Sequence, residues 1–227
     1  MNLLKIENLA IIYQYAYLFD ELNFSLNKGE RLVIIGESGS GKSSILNAII
    51  GAIEYEGSIE INTDVSYMPQ SLALLDHKTV RGNVELPRII RKLEQIADDE
   101  YNQFGLEQYI DTYVSKLSGG QRQRVALMRA LYSGGSLLLF DEPLSKLDQI
   151  NKERMMDYFL NHITDDYGLV YITHDLNEAV KIGTKILVLS EYPQMIDNNL
   201  ETDVMKTLLK EMLKTNIEGE QDESMYS

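Results

Sequence analysis

A loop of eight residues, Gly36–Ser43, matches the phosphate-binding pattern G-x-x-x-x-G-K-[ST]. Its glycines allow backbone N–H groups to converge on the phosphates of a nucleotide, and the N-terminus of the following helix adds the positive end of a dipole. Lys42 supplies a positive charge to the phosphates, and the Ser43 hydroxyl is an oxygen ligand of the kind that Mg²⁺ accepts. The alternative is a glycine- and serine-rich turn without function. Because the loop follows a buried strand and opens a helix, its context favours phosphate binding.

Two adjacent carboxylates, Asp141 and Glu142, follow the apolar segment Leu137–Phe140. Successive side chains of a strand point to opposite faces, so the two carboxylates can take separate tasks. Asp141 can hold Mg²⁺ through water, while Glu142 can polarise the water that attacks the terminal phosphate. Alone, the pair is more typical of an acidic surface turn. A phosphate-binding loop in the same chain favours the catalytic interpretation.

The segment Leu117–Gln121 places a serine and two glycines directly before a predicted helix, Gln121–Tyr132. The N-terminus of that helix would be a second site for an anion. One small ATPase does not need two such sites for one triphosphate, so the second site makes sense if it serves a nucleotide held by another subunit. Standing alone, the segment would be an ordinary serine cap of a helix.

These residues lie where strands and helices are predicted to alternate. Period-two patterns and short β-branched runs predict strands, whereas apolar residues spaced by three and four predict helices. The predicted strands are Lys5–Leu9, Glu21–Leu26, Arg31–Ile35, Ser58–Ile61, Val65–Met68, Leu137–Phe140, Leu169–Thr173 and Lys185–Leu189. The predicted helices are Ser43–Ile50, Gln121–Tyr132, Asn151–Asp165 and Leu176–Ile182. This alternation predicts an α/β fold with a mostly parallel sheet covered on both faces.

The chain is predicted to fold as a nucleotide-binding core, 1–70 with 118–200, that is interrupted by a helical insertion at 71–117. The insertion is charged, glutamine-rich and helical in period. Residues 201–214 carry apolar side chains at a spacing of four and predict an amphipathic helix that packs on the core. Residues 215–227 are acidic and have few apolar side chains, and we expect them to be disordered.

The composition excludes several classes of protein. The chain has 227 residues and a net charge of −14, and such a surface repels phosphate backbones and anionic lipid. We therefore expect no nucleic-acid partner. No segment is apolar over the roughly 20 residues that a membrane span needs, and the N-terminus lacks the pattern of a signal peptide. Cysteine is absent, which excludes disulfides and thiol catalysis. We expect a cytosolic chain.

From about Ile6 to Ile196 the chain resembles the nucleotide-binding subunits of ATP-binding cassette (ABC) transporters. The resemblance rests on the order of the motifs, which are the phosphate loop, Gln70, Leu117–Gln121, Asp141-Glu142, Ser145–Asp148 and His174. It implies a P-loop NTPase core of RecA type with a small antiparallel β subdomain and an inserted helical subdomain. It also implies ATP and Mg²⁺ as the bound ligands.

The same resemblance assigns roles to individual residues. Tyr13 resembles the aromatic residue that stacks on adenine; simple packing is the alternative, because Tyr15 and Tyr17 lie nearby. The predicted catalytic residues are Glu142, His174, Gln70 and Lys42. The predicted metal ligands are Ser43, Gln70 and Asp141. The predicted nucleotide contacts are Tyr13, Gly36, Glu37, Ser38, Gly39, Ser40, Gly41, Lys42, Ser43, Ser44, Ser118, Gly119, Gly120, Gln121 and Asp148.

Three of these residues have particular roles in the resemblance. His174 resembles the histidine that contacts the γ-phosphate, and Gln70 the glutamine that ligates Mg²⁺ and senses the membrane subunits. Asp148 resembles the residue that links the two active sites of a dimer. The neighbouring Asp175 is expected to cap the helix that begins at Leu176 rather than to do chemistry.

Three functional hypotheses follow from the motifs. The first is the ATPase subunit of a transporter, which would pair with a second ATPase subunit, dock on permease subunits at the inner face of the cell membrane, and act indirectly with a substrate-binding protein. The second is an ABC-type ATPase of DNA repair or translation. The third is an unrelated P-loop kinase or GTPase, which would not explain Leu117–Gln121 and would, for a GTPase, need an Asn-Lys-x-Asp motif that the sequence lacks.

Three further segments bear on the direction of transport. Asn83–Pro87, Thr173–Ala179 and Leu187–Pro193 are similar to the nitrate/sulfonate/taurine group of importers, and thiamine-precursor importers share this similarity. The resemblance therefore implies an importer of small molecules.

Overall fold

The computed structural model describes residues 1–13, 16–190 and 193–223; the side chains of residues 13, 16, 20 and 214–223 are not described. The strands are β1 (Asn2–Tyr13), β2 (Ala16–Asn27), β3 (Arg31–Gly36), β4 (Glu56–Ile61), β5 (Val65–Met68), β6 (Leu137–Asp141), β7 (Gly168–Ile172), β8 (Lys185–Leu189) and β9 (Gln194–Asp197). The helices are α1 (Lys42–Ile49), α2 (Val80–Val84), α3 (Leu86–Arg91), α4 (Glu100–Gln103), α5 (Gly119–Leu131), α6 (Gln149–His162), α7 (Leu176–Ile182) and α8 (Thr202–Glu223).

The chain divides into two compact units. The first consists of residues 1–62 and 168–227, and the second of residues 63–167. This division differs from the predicted core with an insertion at 71–117. The reason is that α5 packs against both β5 and α2, so that two predicted core elements belong to the same unit as the helices of the insertion.

The first unit contains two sheets. Strands β2, β1 and β4 form an antiparallel sheet in that order. In the second sheet β3 lies between β7 and β8 and is parallel to both, while β9 pairs antiparallel with β8. Because Leu32–Ile35 are buried, β3 is a central strand whose run of apolar residues faces helices or strands on both sides. Ile34 pairs with Ile172, so the segments that follow β3 and β7 leave the sheet at the same edge.

The second unit is built around two parallel strands, β5 and β6, in which Met68 pairs with Phe140. All five residues of β6 are buried. The segments after β5 and β6, which contain Gln70 and Glu142, therefore leave this pair of strands at the same edge. Between β5 and α5 the chain forms the short helices α2, α3 and α4 and two 3-10 turns.

Two elements differ from the sequence-based expectation. Strand β9 was not predicted, because its four residues carry no regular apolar pattern and it pairs at the edge of the sheet. Helix α8 does not end at residue 214 but continues to Glu223. The glutamate and glutamine residues beyond 214 are good helix formers. The prediction of disorder considered only the acidic, apolar-poor composition of this segment and not this helix preference. Residues 224–227 lie outside the described part. Among the described residues, no helix is both long and apolar enough to cross a membrane.

Candidate nucleotide-binding site

The phosphate loop connects β3 to α1 and is held by close backbone contacts. A Cβ added to Gly36 would lie 2.6 Å from the carbonyl oxygen of Leu189, so no larger residue fits there without a shift. Gly41 has φ +89° and precedes α1, and within the described residues no side chain caps this helix. The first N–H groups of α1 are therefore open to a bound anion.

Lys42 is almost buried within this loop, with 8% of its surface exposed. Its ammonium group donates to the carbonyl oxygens of Gly36, at 2.9 Å, and of Glu37, and lies 3.4 Å from Ser40 Oγ. The charge is thus pre-positioned inside the loop by backbone acceptors, and phosphate oxygens can replace these acceptors when a nucleotide binds.

The segment after β7 holds His174 between two fixed neighbours. Thr173 Oγ1 donates to the buried carboxylate of Glu178 at 2.8 Å and accepts from the N–H of Asp175 at 3.0 Å. Tyr171 donates to the same carboxylate at 2.8 Å. Asp175 caps α7 by accepting from the N–H of Asn177, which confirms its predicted role. His174 itself is exposed, so its side chain is presented on a rigid turn.

In the second unit the two carboxylates at the end of β6 have different surroundings. Asp141 is buried, with 3% of its surface exposed. The burial of Tyr67, together with the nearby charge of Asp141, raises the pKa of Tyr67. Glu142 is half-buried and has φ +49°, a backbone conformation that is uncommon for a non-glycine residue. Its carboxylate lies 3.5 Å from Nε2 of Gln70, which joins two of the predicted site residues in one hydrogen bond.

The second anion site predicted from the sequence lies at the N-terminus of α5 and consists of Ser118–Gln121; we call it the second cradle. Ser118 Oγ accepts from the N–H of Gln121 at 3.3 Å, and Gln121 Oε1 accepts from the N–H of Ser118 at 2.8 Å, which forms a reciprocal capping box. A Cβ added to Gly119 would meet no atom within 4 Å, whereas one added to Gly120 would lie 3.3 Å from the carbonyl oxygen of Lys146. The cap described as the alternative is therefore present, and the face at Gly119 remains open.

Asp148 and Tyr13 complete the predicted set. Asp148 caps α6 by accepting from the N–H and the Nδ2 group of Asn151, at 3.0 and 2.6 Å, and these hydrogen bonds lower its pKa. Its carboxylate is exposed and charged. Tyr13 is the last residue of β1, and its side chain lies outside the described part of the structure, as does the whole of Tyr15.

The donors predicted for Mg²⁺ are a hydroxyl, an amide and a buried carboxylate, from Ser43, Gln70 and Asp141. All three are hard oxygen ligands, and Mg²⁺ is commonly held by one or two carboxylates together with substrate phosphates and water. Within the described ranges, no group of three or more histidine, aspartate or glutamate side chains is arranged to hold a metal ion. The chemistry of these three side chains fits Mg²⁺.

Residues 19–145 match the protein-family model described as ABC transporter. The chain belongs to the ABC transporter family. It is 34% identical over 207 residues to the taurine import ATP-binding protein TauB of Escherichia coli strain K12, an alignment that covers 84% of this chain and 81% of that protein. It is 31% identical over 194 residues to the carnitine transport ATP-binding protein OpuCA of Listeria monocytogenes, covering 76% of this chain and 49% of that one.

Solved structures of ABC cassettes share the fold. A dimeric structure of MJ0796, described as a bacterial ABC transporter cassette, matches with a TM-score of 0.74 and 28% identity over 87% of this chain and 99% of that chain. A structure of MJ0796 with ADP and Pi, described as a post-hydrolysis state, gives a TM-score of 0.73 at 26% identity over 87% of this chain and 99% of that chain. The P-loop NTPase fold and the ABC family are thereby confirmed.

The ABC cassette described here is an ATP-binding subunit and an ATPase, as predicted. The hypothesis of an unrelated kinase or GTPase is excluded by the family. Sequence reasoning found the motifs of the site but missed Gln123, whose side chain contacts the backbone of Glu142. A buried glutamine one turn into a helix carries no local signal, because its contact lies 19 residues away along the chain.

Proposed function

We propose that this ABC cassette powers the import of a small molecule. The observation that carries the proposal is the 34% identity to a taurine import ATP-binding protein over 84% of the chain, in which the phosphate loop, Leu117–Gln121 and Asp141-Glu142 occur in the family order. The similarity to a carnitine transport ATP-binding protein supports a role in the transport of a small molecule. A role in DNA repair or translation has no comparable support among these relatives.

The binding of ATP falls to the phosphate loop and to the aromatic residue upstream of it. The backbone N–H groups of Gly36–Ser44 and the ammonium of Lys42 would hold the phosphates, and Tyr13 would stack on adenine. Ser118–Gln121 would receive the γ-phosphate of a nucleotide bound by a second copy. The open space at Gly119 supports this role, because a phosphate can approach that face of α5 without a clash.

Hydrolysis would depend on carboxylate, imidazole and amide side chains. Glu142 would accept a proton from the attacking water, and its hydrogen bond with Gln70 would orient it. His174 would contact the γ-phosphate from its rigid turn, and Asp148 would link the two sites of a dimer. Ser43, Gln70 and Asp141 would hold Mg²⁺, which supplies positive charge to the phosphates when it is bound.

The proposed partners follow from these roles in ATP binding and hydrolysis. Two copies would sandwich two nucleotides, as the dimeric structure of a similar cassette supports. The pair would dock on permease subunits at the inner face of the cell membrane and would act on a substrate-binding protein only through the permease. The net charge of −14 disfavours a direct attraction to anionic lipid, so the permease would supply the attachment.

The test uses the full chain with Glu142→Gln as its matched variant. The exchange keeps the shape of the side chain but removes the group that polarises water, so ATP binds while turnover is lost. We expect an ATP-dependent dimer that persists for minutes in light scattering, and Mg²⁺-dependent ATPase activity only in the wild type. Import is tested by purifying the chain from membranes with its permease and measuring ATP-driven uptake into vesicles. Export, or recovery of the chain on ribosomes or DNA without a permease, would contradict the proposal.

A further inference from the structure

A buried amide lies inside the otherwise apolar face of α5. The buried neighbours of Gln123 on this helix include Val125, Leu127 and Met128, while Gln123 itself has only 1% of its surface exposed. Its Oε1 atom has no hydrogen-bond partner among the described residues. Burying an amide with one unsatisfied acceptor is unfavourable, and an apolar side chain of the same volume would avoid this penalty. The amide therefore requires an explanation other than packing.

The other end of this amide contacts Glu142. Gln123 Nε2 donates to the backbone carbonyl oxygen of Glu142 at 2.9 Å. The same oxygen accepts from Ser145 Oγ at 3.0 Å and from the N–H of Ser145 at 3.3 Å. Three donors thus converge on one carbonyl group.

The residue held in this way has a strained backbone. Glu142 has φ +49°, and non-glycine residues keep such a conformation only where their surroundings impose it. The orientation of the carbonyl and the direction of the Cα–Cβ bond are linked by the backbone angles of Glu142. Fixing the carbonyl therefore also fixes the point and direction from which the side chain extends, and the hydrogen bond with Gln70 holds the carboxylate at its far end.

The helix that carries Gln123 begins at the second cradle. Ser118 caps α5, and Gln123 follows it within the first two turns. A hydrogen-bonded helix moves as a unit over so short a distance. A displacement of the cradle would thereby reach the donor that holds Glu142.

We infer that Gln123 is a positioning residue for ATP hydrolysis: it holds the Glu142 carbonyl so that the carboxylate is aimed, and it couples that aim to the cradle Ser118–Gln121. The inference rests on the proposed roles of Glu142 and of the cradle. A γ-phosphate bound by the cradle would come from the nucleotide of a second copy, whereas Glu142 acts on the nucleotide of its own chain. Gln123 thus makes the hydrolysis of one nucleotide depend on engagement with the other.

Gln123→Met is the primary test, because methionine preserves the length of the side chain and removes the donor. We expect kcat for ATP to fall about tenfold or more, while KM and the Kd for ATP change less than twofold. The ATP-dependent dimer should persist longer than that of the wild type, which is the same behaviour that we expect of Glu142→Gln. A residue that only stabilised the fold would change melting temperature, KM and kcat together.

Two further variants provide a control and a safeguard. Ser133→Ala removes a buried hydroxyl at the other end of the same helix, where it donates to the carbonyl of Ala130 at 3.0 Å, and it should leave kcat unchanged. Ser145→Ala removes another donor to the Glu142 carbonyl at an exposed position, so folding is not at risk, and it should lower kcat about threefold. Normal kcat in folded Gln123→Met, or in Ser145→Ala, would overturn the inference.

A double variant tests whether Gln123 acts through Glu142. In the Glu142→Gln background, followed by single-turnover hydrolysis over hours, Gln123→Met should cause no further loss, because the carboxylate that it aims is already absent. A further tenfold loss would show that Gln123 acts independently and would overturn the inference. The proposed function fails separately, if the wild type does not hydrolyse ATP or if Glu142→Gln turns over normally.

Discussion

Replacement of Gly119 by aspartate should abolish ATP hydrolysis without destabilising the fold, which makes it the most informative change in the second cradle. A Cβ at Gly119 meets nothing within 4 Å, so the new side chain fits within the chain itself. Residue 119 is the first residue of α5, and a carboxylate in the first turn of a helix stabilises it by about 0.3–1 kcal/mol. For a protein of this size that corresponds to a rise in melting temperature of about 1–4 °C.

The effect on hydrolysis should be opposite and much larger. If the cradle receives the γ-phosphate of a partner's nucleotide, the new carboxylate faces that phosphate. Two negative charges about 4 Å apart repel with about 4 kcal/mol at an effective dielectric constant of 20. This energy corresponds to a loss of about a thousandfold in steady-state ATPase activity. The binding of ATP to the monomer should stay largely intact, because the phosphate loop Gly36–Ser43 is unchanged.

The assay measures phosphate release, ATP affinity by calorimetry and the dimer by light scattering. Gly119→Asn is the matched control, because it has the size of aspartate without the charge; it should lose less activity than Gly119→Asp. Mixing Gly119→Asp with Lys42→Ala chains, each inactive alone, should restore part of the activity. In such a heterodimer one site combines an intact phosphate loop with an intact cradle. Wild-type hydrolysis and dimerisation by Gly119→Asp alone would refute the composite site and leave Ser118 as a helix cap only.

Four other perturbations test separate parts of the chain. Lys42→Ala removes a charged donor worth about 1.5–3 kcal/mol, so ATP affinity measured by calorimetry should fall roughly 10- to 150-fold. Deletion of residues 215–227 should leave ATPase activity and melting temperature nearly unchanged, because this acidic segment has few apolar side chains to bury. By contrast, Leu209→Ala, at a fully buried position of α8, should lower the free energy of unfolding by about 2–5 kcal/mol. Burial lowers the pKa of His162 from 6.5, so the unfolded chain takes up a proton that the folded chain does not, and stability is lost as pH falls below about 6.5.

Specific results would contradict the predictions for Lys42, the deletion and His162. Unchanged affinity for ATP in Lys42→Ala would remove the lysine from the phosphate site. A fall of several degrees after the deletion would show that 215–227 packs on the protein. For His162, the melting temperature of the wild type should fall more steeply between pH 7.5 and 5.5 than that of His162→Gln. Parallel curves for the two proteins would show that this histidine is not a source of the pH dependence.

The motifs of the site could be predicted from the sequence because each is a local property of the chain. The phosphate loop needs a few consecutive residues with glycine and lysine at set positions, and its neighbours Arg31–Ile35 and Ser43–Ile50 carry their own strand and helix patterns. Asp175 is likewise predicted as a cap from its place before Leu176, and the structure confirms it. Local backbone preferences and short-range hydrogen bonds decide such features, and both depend on residues that are close together in the sequence.

Contacts between distant segments could not be predicted in this way. A Cβ at Gly135 would lie 2.6 Å from the carbonyl carbon of Val65, so only glycine fits beside β5, and nothing in the residues around Gly135 predicts this approach. The hydrogen bond from Gln123 to the Glu142 carbonyl is likewise a contact between segments that are distant in the sequence.

The sequence by itself determined the family, the fold class and the residue types that can bind and hydrolyse a nucleoside triphosphate. Only the tertiary structure decided which donors hold the Glu142 carbonyl, that the Glu142 carboxylate lies beside Gln70, and that Gly135 packs against the backbone of β5. The physical reason is that strand register and side-chain packing bring together groups that are far apart in the chain. No periodicity or motif encodes the distance between such groups, since it results from the free energy of the whole folded unit.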